Sequence, residues 1–289
     1  MIYAAFNSAL APSGGRRMRV RAAAIGIAMA AAINGANNGA LAGELDDSFL
    51  RGSFATQGIK GYGRWSGFYV GGILGAGATN ANFDNGIASQ TANILRQTRL
   101  ENEASVSGWK VLPSASANGK TWGGFAGYNY QTDRLVFGAE LTYNRSVSSI
   151  TATATDSISR RVQTSDGITH DVSVVGSGSI ALNEYGTLRA RAGYAAGQFL
   201  PYAAFGVAVA SVSYSKITTI FDNGFLVALP MIENKNRAAA YGGVVALGVD
   251  VTLLPNLFLR GEWEYIAFAP VSGIRMNVNT VRAGLGFKF

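Results

Sequence analysis

The residues best placed to do chemistry in this chain are charged side chains that recur at a spacing of two inside apolar stretches. In "GTLRARAGY", Arg189 and Arg191 alternate with apolar residues, and in "LFLRGEWEYIA" charged residues again take every second position. Successive side chains of a strand point to opposite faces, so each run gathers its charges on one face. The candidate set is Glu140, Arg189, Arg191, Asp250, Arg260, Glu262, Glu264 and Arg282. The chemistry predicted for it is ion pairing between facing charges of opposite sign.

Catalytic and metal chemistry have little support in the sequence. His170 is the only histidine, and it lies in a Ser/Thr-rich segment beside Asp166 and Asp171. Hydrolases and transferases with an activated nucleophile usually need a histidine next to a serine or an acid, and one histidine in a loop is a weak basis for that. Without cysteine, and without an acidic cluster at ligand spacing, a metal site is not expected either. The chain is therefore predicted to be no enzyme and to hold no metal or cofactor.

A short glycine-containing motif resembles a phosphate loop but fails its pattern. Gly119, Lys120 and Thr121 follow one another, yet Ser114 stands where the earlier glycine of that motif is required. The motif also enters a predicted strand, whereas a phosphate loop follows one. No nucleotide site is expected.

The elements that would position the charges read as β-strands, because runs of about ten residues alternate with turn sequences from Trp65 onward. The predicted strands are 66–79, 121–131, 135–146, 182–195, 200–214, 238–252, 257–268 and 278–289. The connections after the second, fourth and sixth strands are short. The predicted long loops are 80–120, 147–181, 215–237 and 269–277. Regular alternation of short and long connections is typical of an up-and-down barrel in an outer membrane.

The faces of these strands indicate which side meets lipid. Arginine on the lipid face at the membrane midplane costs about 2–4 kcal/mol, so Arg189, Arg191 and Arg260 are predicted to point inward. A soluble barrel would instead bury those charges in a greasy core. The predicted fold is all-β, a closed antiparallel up-and-down transmembrane β-barrel of eight strands, with a soluble lipocalin-like barrel as the residual alternative. The faces of the first two strands remain open.

The last strand, "VNTVRAGLGFKF", has an apolar face and a charged one. Val281, Ala283, Leu285, Phe287 and Phe289 are predicted to face lipid, and Arg282 and Lys288 the lumen. Aromatic residues near strand ends fit two interfacial girdles. The predicted girdle at the extracellular interface is Trp122, Tyr143, Tyr241, Trp263 and Tyr265. The predicted girdle at the periplasmic interface is Tyr130, Tyr194, Phe199, Phe258 and Phe289.

The start of the chain has the pattern of a secretory signal peptide. Four arginines precede an apolar run, and a small-x-small site follows at Ala40 and Ala42. We predict a signal peptide over 1–42, with Met18 as an alternative start codon, a lead-in over 43–64 and the barrel over 65–289. Removal of the four arginines lowers the formal charge from +7 to +3, too little to indicate nucleic-acid binding. Cysteine is absent, so no disulfide is expected.

Four stretches resemble a known group of proteins. They look like the small eight-stranded outer-membrane barrels of Gram-negative bacteria. The stretches are "WSGFYVGGILGAG", "LNEYGTLRARAGYAAGQFLPYAAFGVAVA", "LGVDVTLLPNLFLRGEWEYIAFA" and "VNTVRAGLGFKF". That group includes opacity-protein-like and porin-family surface antigens, akin to the OmpA transmembrane domain. In such proteins the last strand resembles a signal for the barrel-assembly machinery, which maps onto Leu285, Phe287 and Phe289. The resemblance implies an outer-membrane location, periplasmic termini and extracellular long loops.

Two functions stay open from the sequence. The charged set would either form a packed polar plug in a structural surface protein, or admit a narrow path for ions and small solutes. The expected partners are outer-membrane lipid and lipopolysaccharide, the assembly machinery and periplasmic chaperones during biogenesis, and host or cell-surface ligands of unknown identity. Arg96 and Arg99 in the first long loop are candidate contacts for lipopolysaccharide phosphates, although a solvated charged loop has the same sequence.

Overall fold

The computed structural model describes residues 64–289. The predicted signal peptide, its cleavage site at Ala40 and Ala42, and residues 43–63 of the predicted lead-in lie outside the described residues. Within 64–289, no helix is long and apolar enough to cross a membrane.

Eight long strands make up the fold. They are β1 (Gly67–Asn82), β2 (Ala115–Thr132), β3 (Leu135–Gln163), β4 (Thr169–Tyr194), β5 (Phe199–Asp222), β6 (Met231–Leu254), β7 (Leu257–Phe268) and β8 (Arg275–Lys288). A two-residue strand, Phe225–Leu226, pairs with the end of β5. Each long strand pairs antiparallel with the next one in the chain, β4 with β5 included. The antiparallel pairing of β8 with β1 completes the ring. The predicted eight-stranded antiparallel up-and-down barrel is thereby confirmed.

Side chains alternate between the interior and the outer surface along the regular parts of the strands. Along β8, Val281, Leu285 and Phe287 are exposed, while Arg282, Gly284 and Gly286 are buried. Glycine at inward positions lets large rings enter the lumen: a Cβ on Gly286 would lie 2.2 Å from the Phe258 ring, and one on Gly127 would lie 2.4 Å from the Tyr69 hydroxyl. The lumen is therefore filled by side chains, as expected for eight strands.

The two ends of the barrel differ. Turns at 133–134, 195–198 and 255–256 close one end, here called the short-turn end, which also holds Phe289. At the other, the long-loop end, β3 and β4 run on together as a hairpin to a turn at 164–168. The predicted long loop 147–181 was thus wrong over most of its length, because residues rich in Ser, Thr and Ala continue the sheet there. Both ends of the predicted loop 215–237 also belong to strands, since β5 ends at Asp222 and β6 begins at Met231.

The first long connection is also shorter than predicted and is folded. β1 continues to Asn82 and β2 begins at Ala115, so residues 83–114 form the connection, here called the cap. It contains α1 (Ala88–Ile94), α2 (Arg99–Ala104) and a 3-10 turn at Val106–Gly108. Thr98 caps α2, since its Oγ1 accepts from the Glu101 backbone N–H at 3.3 Å.

The structure settles the faces that the sequence left open and corrects one aromatic position. On β1, Tyr69 and Ile73 point inward while Phe68 and Leu74 are exposed. On β2, Phe125 points inward and Trp122 outward. Phe258 is buried in the lumen, so its placement in a lipid-facing girdle was wrong. It has the same parity as Arg260, which decides its face.

Candidate functional site

Eight charged side chains occupy the middle of the lumen, and we call them the charge network. They are Glu140 on β3, Arg189 and Arg191 on β4, Asp250 on β6, Arg260, Glu262 and Glu264 on β7, and Arg282 on β8. All eight are buried, and ion pairs connect them without a break. Four cations balance four anions, so the buried set carries no formal net charge.

The half of the network nearer the short-turn end is built around Arg260. Its guanidinium donates two hydrogen bonds to Asp250, from Nε at 2.8 Å and from Nη2 at 3.0 Å. Its Nη1 donates to Glu140 at 2.6 Å. Arg191 donates to Asp250 at 2.8 Å and to Glu140 at 3.3 Å. Paired donors on one carboxylate fix both position and orientation.

The other half is joined to the first by Arg189. That guanidinium donates to Glu140, and its Nη1 reaches both Glu262 and Glu264 at 3.0 Å. Arg282 donates to the same two glutamates, at 2.6 Å to Glu264. Every acid of the network thus accepts from at least two arginines.

Three tyrosines complete the network and were not among the predicted site residues. The Tyr69 hydroxyl donates to Glu140 at 2.8 Å, and the Tyr185 hydroxyl donates to Glu264 at 3.2 Å. The Tyr202 hydroxyl donates to Glu262 at 2.6 Å. The Tyr202 ring also lies 3.8 Å from the Arg191 guanidinium carbon. A tyrosine opposite an inward glycine, such as Gly127 or Gly248, is the signal that could have found two of them.

Aromatic rings fill the lumen between the network and the short-turn end. Trp65, Tyr69 and Phe125 surround Phe258 with ring centroids 5.9 to 6.1 Å away, and we call these four residues the aromatic base. The Lys288 ammonium lies 4.3 Å from the Trp65 ring. Edge-to-face and tilted packing of these rings fills this part of the lumen with apolar groups.

The cap fills the lumen on the opposite side of the network. Its Phe83, Ile87, Leu95 and Leu112 are almost completely buried against the inner faces of the surrounding strands. Polar contacts hold it as well: the Thr218 hydroxyl donates to Gln90 at 2.6 Å. Sequence reasoning treated this segment as an exposed loop. The pattern Thr98-x-x-Glu101, a helix-start signal, was present and overlooked.

A second polar contact ties the cap to the β3–β4 hairpin. Glu103 on α2 accepts from both the backbone N–H and the hydroxyl of Ser165, each at 2.7 Å. Those hydrogen bonds lower the pKa of the Glu103 carboxyl below its usual range. Arg99 lies 3.6 Å from Asp166, so one predicted phosphate contact already faces an acid.

The remaining candidates for chemistry are dispersed. His170 Nδ1 lies 2.7 Å from Asp222 on β5, whereas Asp171 pairs with Arg161 at 2.8 Å. Gly119, Lys120 and Thr121 lie inside β2. Within residues 64–289, no group of three or more acidic or histidine side chains is arranged to hold a metal ion.

The predicted assembly-signal residues and most of the predicted girdle lie on the outer surface. Leu285, Phe287 and Phe289 are exposed at the short-turn end. The girdle residues Trp122, Tyr143, Tyr241, Trp263, Tyr130, Tyr194 and Phe199 are exposed too, and Tyr265 is half-buried.

Chemically, this arrangement suits closure more than transport. From the short-turn end the lumen holds an aromatic layer, then a charge layer with every acid paired, then the apolar cap. An ion would have to separate pairs whose loss leaves a buried charge uncompensated.

Comparison with known proteins finds similarity to outer-membrane β-barrel proteins of bacteria. Residues 50–289 match the family described as outer membrane protein beta-barrel domain. The 31 kDa outer-membrane immunogenic protein of Brucella melitensis is 27% identical over 78% of this chain and 84% of its own length. The 25 kDa outer-membrane immunogenic protein of Brucella ovis is 25% identical over 58% of this chain, and the match spans 62% of that relative. The solved structure of Neisserial surface protein A aligns over 78% of this chain and 98% of its own, at 15% identity and a TM-score of 0.36.

Proposed function

Because the chain belongs to the outer membrane protein β-barrel domain family, we propose that it is a closed structural barrel of the outer membrane. In this role it conducts no solute, supports the envelope and acts through the surface that it displays. The observation that carries the proposal is the uninterrupted charge network between the aromatic base and the cap. The network is electrically balanced, so closing the lumen with it leaves no uncompensated buried charge.

The proposed orientation puts the short-turn end in the periplasm and the long-loop end outside the cell. Short periplasmic turns and longer external connections are the rule for barrels of this kind. β1 begins and β8 ends at the short-turn end, where the Phe289 backbone N–H donates to Phe68 at 2.9 Å. Both mature termini are then periplasmic.

The proposed partners follow from the surfaces at the two ends. The exposed apolar residues Leu285, Phe287 and Phe289 support recognition by the barrel-assembly machinery, with periplasmic chaperones acting before insertion. The β3–β4 hairpin and the cap would contact lipopolysaccharide and cell-surface ligands. We also propose that the protein has no enzymatic activity, since among residues 64–289 no hydroxyl group is hydrogen-bonded to the His170 ring.

The competing function, a narrow passive pore, makes a different prediction for the same residues. It requires pairs such as Arg189 with Glu262, or Arg191 with Asp250, to separate often enough to pass ions. A plug holds these pairs closed at rest.

The experiment that separates the two is the current through a planar bilayer containing the refolded mature protein, residues 43–289. Folding is checked first by the heat-dependent gel shift of a barrel, and a general porin refolded in parallel shows that the bilayer detects channels. We expect the folded protein to give no current steps. Uniform, repeatable steps would contradict closure and make the network an ion filter.

A further inference from the structure

A cavity on the outer surface of the barrel lies where three successive strand pairings, among four neighbouring strands, shift register at the same height. Arg145 pairs with Glu184 and Ile150 with Leu182, so residues 146–149 bulge opposite Asn183. The β4–β5 register shifts at Asn183, and the β5–β6 register shifts opposite Ser213. Bulges turn side chains away from the regular pleat. Together they form a polar recess of about 580 Å³.

The floor of this recess is a continuous chain of hydrogen bonds across four strands. The Ser149 hydroxyl donates to Asn183 at 3.1 Å, and the Asn183 amide donates to Ser213 at 3.0 Å. The Ser213 hydroxyl accepts from the backbone N–H of Arg237 at 3.4 Å, and Arg237 has a left-handed φ of 54°. The recess is thus a built feature of the sheet, since its polar groups hold one another in place.

Two arginines flank the recess, and their guanidinium groups have no polar partner among residues 64–289. Among residues 64–289, neither the Arg145 nor the Arg237 side chain forms a hydrogen bond or an ion pair. One carboxylate, Glu184, also lines the recess, and its Oε2 accepts from the Tyr143 hydroxyl at 2.5 Å. Two cations against one anion leave the recess positive, and guanidinium forks suit phosphate oxygens.

The height of the recess on the barrel restricts what can occupy it. Toward the short-turn end, the outer surface of these strands is apolar, with Leu141, Leu188 and Val207 exposed and Tyr143 and Tyr241 just below the recess. Toward the long-loop end, the outward positions become Ser and Thr, as at Thr151 and Thr153. Aromatic residues at such a boundary mark the level of lipid headgroups.

We propose that this recess, flanked by Arg145 and Arg237, binds the phosphorylated sugar headgroup of a glycolipid, with the acyl chains lying against the apolar strands below. The guanidinium groups take the phosphate, and the serine and asparagine groups take sugar hydroxyls. The site rests on the proposed function, because that function places the long-loop end at the outer leaflet. It differs from the loop arginines Arg96 and Arg99 that the sequence suggested.

The test is a native mass spectrometry titration of the mature protein in dodecyl maltoside micelles with bisphosphorylated lipid A. The variant Arg145→Ala/Arg237→Ala should bind about tenfold more weakly, the loss expected for a charged hydrogen-bonded pair. Arg64→Ala/Arg275→Ala removes the same charge at exposed positions outside the recess, the cap and the β3–β4 hairpin, and should bind like the wild type. Equal loss in both double variants, or unchanged binding in the first, would overturn the site.

Further arms identify the source of the anion and guard against misfolding. Arg145→Lys/Arg237→Lys keeps the charge and should bind with intermediate affinity, and the heat-dependent gel shift confirms folding of each variant. Dephosphorylated lipid A should bind the wild type as weakly as lipid A binds the alanine variant. Displacement of lipid A by excess inorganic phosphate would overturn the lipid assignment in favour of a free anion site. Because neither arginine touches the lumen, the alanine variant should remain electrically silent, so failure of this site and failure of closure are distinguishable.

Discussion

Arg189 is the residue on which the two halves of the charge network depend. Its guanidinium contacts Glu140 on one side and Glu262 and Glu264 on the other. Arg282 still contacts Glu262 and Glu264 when Arg189 is removed, and Arg191 and Arg260 still reach Glu140. What disappears is the balance, because three arginines then face four buried acids. One buried carboxylate must be left without compensation.

Replacement of Arg189 by alanine should therefore destabilise the barrel by about 3–5 kcal/mol, the usual cost of removing one partner of a buried ion pair. The measurement is the urea concentration at the midpoint of unfolding in lipid vesicles, followed by the heat-dependent gel shift. Arg96→Ala, in an exposed part of the cap, is the matched control and should change stability by no more than about 0.5 kcal/mol. An unchanged midpoint for Arg189→Ala would mean that the network is hydrated and does not seal the lumen.

For a single residue, the sequence predicts which face of a strand the side chain lies on only where the two faces differ clearly in polarity. Parity places Arg189, Arg191 and Arg260 on inward positions, because lipid rejects a guanidinium strongly. Tyr69 carries no such penalty on either face, because its neighbours on β1 are glycine and apolar residues. Its inward position depends on the space left by Gly127 on β2, which only the register reveals. Phe258 was readable from the sequence, because it has the same parity as Arg260.

At the scale of elements, the cap is held by apolar packing inside and by polar contacts at its rim. The rim contact between Glu103 and Ser165 joins α2 to the tip of the β3–β4 hairpin. The hydrogen bonds from Ser165 lower the Glu103 pKa. A depressed acid pKa means that the contact contributes fully above the unfolded pKa, and that this contribution is lost as the pH falls through the folded value.

Docking of α2 should consequently weaken in acid, and Glu103→Gln should reproduce the weakening at neutral pH. Hydrogen exchange at residues 99–104 is the measurement, with the wild type and the variant compared at equal pH. At pH 7 we expect roughly two- to tenfold faster exchange in Glu103→Gln, as for loss of a net hydrogen bond. At a pH below the folded pKa of Glu103 the two proteins should exchange alike. The β2 segment 121–131 serves as an internal control, and a difference that persisted in acid would contradict the assignment.

The bounds of a strand were predictable where the alternation of residue types along the sequence agrees with the alternation of buried and exposed side chains. They were less predictable elsewhere. β7 matches its predicted bounds because apolar and charged residues alternate from Leu257 to Phe268. The outer halves of β3 and β4 were missed since Ser and Thr suit strands and loops equally well. The cap was missed for a different reason: its apolar residues gain their burial from the barrel around them, so the segment alone resembles a loop.

At the scale of the whole molecule, the proposed closure of the lumen involves three layers in series, and each can be tested alone. The chain offers a direct way to remove the cap, because Ala81 pairs with Ala115 across β1 and β2. Replacing residues 82–114 by Asn-Gly would join Ala81 to Ala115 through a two-residue turn of the kind that hairpins prefer. The absence of cysteine allows single thiols to report which layer has opened.

The cap deletion should open the outer part of the lumen and leave the barrel electrically silent. A cysteine at Ala240, which is buried beside the cap, should become reactive to a water-soluble maleimide after the deletion, whereas one at Ile73, in the apolar cluster around the aromatic base, should stay protected. The planar bilayer should show no current, because the charge network still separates the two compartments. Current steps from the deletion alone would assign the seal to the cap, and protection of both cysteines would mean that the strands collapse to fill its place. Only when Arg189→Ala is added to the deletion do we expect leakage, since two of the three layers are then impaired.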